Sequence, residues 1–120
     1  MKTRKELKEE YKRMKFRIGV FQIKNNINGK IYIGSSLDLV AIKHSVRLQL
    51  DVGSFPNDEL QSDWKKYGAD NFSYEIIDEL KQKDDEEGKD YRDDLKVFEA
   101  MIIDDMQPFG EKGYNKRKMK

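Results

Sequence analysis

The chain has 120 residues, of which 37% are hydrophobic, 39% are charged and none is cysteine; this fits one compact domain with a modest core and excludes a disulfide framework or a thiolate metal site. Met1 to Lys15 is too polar for a signal peptide, and no apolar run approaches the roughly 20 residues of a membrane span, so the expectation is a cytoplasmic protein with no membrane partner. The net charge of +1 hides an uneven distribution: residues 1–17 carry eight Lys/Arg against three Glu, residues 111–120 five against one, and residues 78–105 twelve acids against five bases.

Thr3 followed by Glu6 fits a capping box, which predicts a helix over about 4–14 inside a basic extension spanning 1–16. Residues 17–24 read as a strand, Asn28-Gly29 as a hairpin signal because both residues tolerate positive φ, and Lys30 to Gly34 as the second strand. Ser35 or Ser36 is the expected cap of a helix over about 38–51, whose Leu39, Ile42, Val46 and Leu50 make one apolar stripe. Gly53-Ser54-Phe55-Pro56 breaks that helix. Asn57 caps the next, which carries Leu60, Trp64 and Tyr67 on one face, read as core rather than a base-stacking platform, and Gly68 is expected to end it in the left-handed conformation.

Phe72, Tyr74 and Ile76 alternate, so 71–78 reads as a third strand. Residues 80–90 read as an acidic loop; its Asp84-Asp-Glu-Glu87 run lacks calcium-loop spacing and reads as solvated. A last helix over about 91–106 places Leu95, Phe98, Ile102 and Met106 at helical spacing, and Pro108 and Gly110 stop it before a basic tail, 116–120. The basic ends can hold phosphates through counterion release, and charge alone reads equally as a solvated surface; if nucleic acid is the partner, Lys65, Lys66, Lys116, Arg117 and Lys118 are the candidate contacts. The acidic 78–105 stretch offers a face for a basic protein partner, the reading from a different functional class.

Gly19-Val20-Phe21 and Tyr32-Ile33-Gly34 lie on the first two strands, separated by residues 22–31. Around and after them come Asn28-Gly-Lys-Ile-Tyr-Ile-Gly-Ser-Ser36, Leu60-Gln61, Trp64-Lys-Lys-Tyr-Gly68, Asp70-Asn-Phe72, Glu99 on a late helix and Gly113-Tyr-Asn115. This ordered series resembles the GIY-YIG endonuclease family, in its homing-endonuclease-like catalytic domain, over residues 17–115. The resemblance implies an α/β (α+β) fold, a small three-stranded antiparallel sheet flanked by helices, and the strand and helix order read from periodicity agrees with it.

It also implies phosphodiester hydrolysis. A water must lose a proton, a cation must meet the charge that develops on phosphorus oxygens, and a carboxylate-held divalent metal such as Mg²⁺ neutralises the leaving oxygen. On this resemblance Tyr32 is the family's second tyrosine, a general base or water-orienting hydroxyl; Glu99 is the metal ligand; Asn115 is the terminal asparagine. Tyr32 and Glu99 are then expected to face one cleft, with DNA the expected polymer. Three positions depart from the pattern. Phe21 replaces the first tyrosine, Ile42 falls where the helix arginine stands, and Val46 falls where a histidine stands one turn later.

At about 100° per residue, Lys43, His44 and Arg47 all lie off the Ile42 face. His44 reads as a surface residue. Lys43 is the best substitute cation, though a point charge without the guanidinium fork. The expectation is a nucleic-acid-binding protein with weak or lost hydrolysis. The alternatives are an active Mg²⁺-dependent endonuclease using Lys43 or Arg47 and a protein-interaction module.

Overall fold

In the computed structural model the described residues are Thr3, 16–82 and 90–116. The expected helix over 4–14, the Asp84-Asp-Glu-Glu87 run, Arg117 and Lys118 lie outside them. The chain forms strands β1 (Gly19–Asn25) and β2 (Ile31–Ser36), helices α1 (Leu39–Val52) and α2 (Asp58–Tyr67), a short 3₁₀ turn (Ala69–Asn71), strand β3 (Phe72–Glu79) and helix α3 (Arg92–Met106). The sheet is antiparallel in the order β2-β1-β3. The expected three-stranded α+β fold is therefore present.

The β1–β2 connection closes through Gly29 at φ 78°, whose N–H donates to the Asn25 carbonyl at 2.8 Å. The Asn28 side chain accepts from the Lys30 N–H at 2.9 Å, so Asn28-Gly29 belongs to a turn wider than two residues. The cap of α1 is Asp38, whose Oδ1 accepts from the Ala41 N–H at 3.0 Å, not either serine. Ser36 accepts from the Asp38 N–H instead, and Ser35 is drawn to α3. Asn57 caps α2 as expected, and Asp58 and Glu59 at its start with Lys65 and Lys66 at its end complement the helix dipole. Gly68 has the expected positive φ, 86°, but its ψ of 151° is extended rather than left-handed helical, because the chain turns directly from α2 toward β3.

Strand alternation divides the sheet's two faces. Phe21 and Ile23 on β1, Tyr32 on β2 and Tyr74 and Ile76 on β3 share the face covered by α1 and α2. The buried cluster there includes Leu39, Val46 and Leu50 from α1 and Leu60 and Trp64 from α2. The opposite face, with Val20 and Ile33 fully inside, is covered by α3. Leu95 of α3 is buried, Phe98 and Ile102 are half-buried, and Met106, the last member of the expected stripe, is 37% exposed.

Candidate active site

The Gly113-Tyr114-Asn115 segment runs along the outer edge of β2. Gly113 makes a parallel bridge with Ile31, and the Tyr114 N–H donates to the Ile31 carbonyl at 2.8 Å. A Cβ on Gly113 would lie 2.4 Å from the Pro108 carbonyl oxygen and 2.5 Å from that of Ile31, so no side chain fits there. The Asn115 carboxamide brackets the next inward residue: its Oδ1 accepts from the Ile33 N–H at 2.8 Å and its Nδ2 donates to the Ile33 carbonyl at 2.9 Å. Both ends of that amide are therefore engaged on the backbone of β2. Tyr114, which sequence reasoning did not single out, is buried; its hydroxyl donates to Asp63 at 2.8 Å and accepts from the buried Asn25 amide at 3.0 Å. Burial, first, pushes its hydroxyl up to about 12.

Tyr32 and Glu99 approach β2 from different sides. Tyr32 pairs with Ile23 on the α1–α2 face and meets Phe55 edge-on, ring centres 5.4 Å apart. Glu99 reaches β2 from α3 and accepts a hydrogen bond from the Ser35 hydroxyl, on the other face. The expected shared cleft on one face is thus replaced by a pair straddling the sheet's edge strand, since residues 32 and 35 are an odd number apart. They still sense each other. Burial raises the Tyr32 hydroxyl above its ordinary value and the Glu99 carboxylate raises it further. That direction opposes formation of a phenolate base at neutral pH and suits a hydroxyl that orients water.

The groove beside Glu99 is lined by Ser35, Ser36, Asp90, Arg92 and Lys96. Arg92 and Lys96 are cations that the family pattern does not point to. Arg92 is committed to Asp90 through bonds of 2.7 and 3.0 Å, which hold the Asp90 carboxyl down at about 2. The pattern Arg92-x-x-x-Lys96-x-x-Glu99 was a signal in the sequence, because residues three and four apart share a helix face. Among the described residues no group of three His, Cys, Asp or Glu side chains is placed to hold a metal. Magnesium is commonly held by only one or two carboxylates with waters and substrate phosphates, so Glu99 with the Ser35 hydroxyl fits a single-carboxylate anchor.

The two α1 positions at which the resemblance expects an arginine and a histidine carry apolar side chains packed toward the core. Val46 is 5% exposed within the buried cluster and Ile42 packs half-buried against the same cluster. Phe21 is 2% exposed, stacks on Tyr74 at 5.3 Å, and turns its ring tip toward Gly34, where a Cβ would stand 2.7 Å from it. Lys43 and Arg47 point toward β3 rather than β2, on the face that α1 covers. The Lys43 ammonium lies 5.7 Å from the ring centre of Tyr74 on β3, and Arg47 sits 3.6 Å from Asp51. β3 is two strand spacings, about 10 Å, from β2. Lys65, Lys66 and Lys116 are exposed, with Lys66 over the Tyr67 ring at 5.1 Å.

No protein-family model and no curated protein matches the chain. Solved structures do. The catalytic domain of the homing endonuclease I-TevI is 26% identical, with a TM-score of 0.68, over 84% of this chain and 99% of that domain. A form of the catalytic domain of the intron endonuclease I-TevI in which one glutamate is replaced by alanine is 25% identical, with the same TM-score, over 83% of this chain and 93% of that one.

Proposed function

The fold is that of a GIY-YIG endonuclease catalytic domain, and we propose that this chain uses it to bind nucleic acid, DNA first, with phosphodiester hydrolysis weak or lost. One observation carries the reading: the site where the family presents its arginine holds Ile42, packed against the buried cluster. Removing one preorganised electrostatic group from a charge-developing transition state typically costs about 10²–10³ in rate, and Val46 and Phe21 remove two further groups. Lys43 and Arg47 do not stand in, because both lie toward β3, away from Tyr32 and Glu99. What remains at the β2 edge is a hydroxyl on Tyr32, a carboxylate on Glu99 able to anchor a divalent ion, and Lys96.

Those residues divide into roles that need no cleavage. Glu99, held by Ser35, would keep a metal and its waters beside a phosphate, and Tyr32 would orient a water or a phosphate oxygen. Asn115 keeps β2, and therefore Tyr32, in place. The test is plasmid nicking with Mg²⁺ and with Mn²⁺, comparing wild type with Glu99→Ala. Wild type should be no faster than the variant. Wild-type nicking that Glu99→Ala abolishes would show an intact catalyst and overturn the loss of hydrolysis.

A further inference from the structure

We propose that α1 and β3 form a second phosphate-binding track, distinct from the Tyr32–Glu99 edge, in which Lys43 and Arg47 hold the backbone of a bound nucleic-acid strand without acting on it. Lys43 and Arg47 are one helical turn apart, so both project from the same side of α1. Both are exposed, and together they line a groove whose floor and wall are Trp64, Phe72, Ser73 and Tyr74. The Tyr74 ring is fixed on three sides. Its hydroxyl donates to the Leu39 carbonyl at 2.9 Å, Phe21 stacks on it, and the Lys43 ammonium lies over it.

Lys43 also lines an adjoining groove with Arg17, His44 and Ile76, so positive groups continue along the β3 edge. Two acids face these cations. Asp51 pairs with Arg47 and also accepts from the Trp64 indole at 3.1 Å, and Glu79 pairs with Arg17. Both pairs are exposed at the surface, where ion pairs are weak and exchange partners readily. Lys43 has no acid partner among the described residues.

A phosphodiester backbone needs cations at helical spacing with donors that can rearrange. Lys43 and Arg47 supply them, and the Tyr74 ring, held by Phe21 and Leu39, fixes where the Lys43 ammonium lies. The groove's place over β3, about two strand spacings from Tyr32 on β2, makes it an anchor, not a reaction site: a strand held there runs on toward β2.

This inference rests on the nucleic-acid reading above, and the experiment separates the two. Binding of a labelled duplex is followed by anisotropy from about 50 to about 200 mM salt for wild type, for Lys43→Gln/Arg47→Gln, and for Lys24→Gln/Lys81→Gln, which removes the same charge from other exposed positions. Each phosphate contact contributes about 0.9 to the slope of log K against log salt. The groove variant should lose about 1.8 of that slope and bind at least tenfold more weakly at the low-salt end, with the control variant close to wild type. Equal slopes in the two variants would overturn the groove and leave nucleic-acid binding standing. Absence of binding by wild type at about 50 mM salt would overturn both. In the same samples, shifts of the Tyr74 and Ser73 amides on adding the duplex support the track, and shifts confined to α2 and residues 112–116 contradict it.

Discussion

Tyr114 shows how a residue can matter by holding the site rather than entering it. Its hydroxyl sits between a donor, Asn25, and an acceptor, Asp63, within a buried setting. Tyr114→Phe keeps the ring packing but leaves the fully buried Asn25 amide without its acceptor. The expected cost is about 1–3 kcal/mol, read as a lower denaturant midpoint with an unchanged slope. The pH dependence has a definite sign. The folded chain keeps the Tyr114 proton up to about 12, whereas the unfolded chain releases it near 10.0. Stability is therefore flat below pH about 10 and falls as pH rises toward about 12. Tyr32 and Tyr74, also raised by burial, add to the fall, so Tyr114→Phe should shallow it without abolishing it. The side-chain bonds of Tyr114 and Asn115 span 51 to 89 residues of sequence. No periodicity encodes such pairings, which is why both residues were legible only within the Gly113-Tyr-Asn115 motif, with no role assigned to Tyr114.

At the scale of elements, α1 decides what the chain can do. Its stripe of Leu39, Ile42, Val46 and Leu50 follows from spacing alone, and the helix buries it against the sheet. The same spacing explains why neighbouring cations miss the site, since Lys43 and Arg47 rotate away toward β3. The three strands and three following helices were readable from alternation, stripes and breakers to within two residues at each end. The cap of α1 was not, because Ser35, Ser36 and Asp38 are all good capping residues; in the structure Ser35 bonds Glu99 and Ser36 bonds the Asp38 backbone, leaving Asp38 as the cap. The opposite-face placement of Tyr32 and Glu99 was implicit in the parity of 32 and 35, but the contact that reveals it comes from α3. Ile42, half-buried rather than sealed, is the position where the lost cation can be returned. Ile42→Arg should fold with reduced stability, because a guanidinium replaces apolar packing, and should gain slow, metal-dependent nicking that a second change, Glu99→Ala, removes. A folded Ile42→Arg variant with no activity would mean that the Val46 and Phe21 changes, or the geometry of the edge, also block cleavage.

The whole molecule combines a nuclease-like sheet with charge arranged for contact. Exposed Lys65 and Lys66 end α2, Lys116 follows the Gly113-Tyr-Asn115 segment, α1 presents Lys43 and Arg47, and acids concentrate over residues 78–105. Among the described residues no helix is long and apolar enough to cross a membrane. On the proposed reading, binding and cleavage are separable properties of one sample. The direct measurement is made on a single end-labelled duplex with Mg²⁺ at about 50 mM salt, where phosphate contacts are strongest: anisotropy establishes saturation, and the same mixture is then run on a denaturing gel. Saturable binding that weakens steeply with added salt, with the duplex left uncut, is the predicted result. A saturated duplex that is cut by wild type and spared by Glu99→Ala would contradict it.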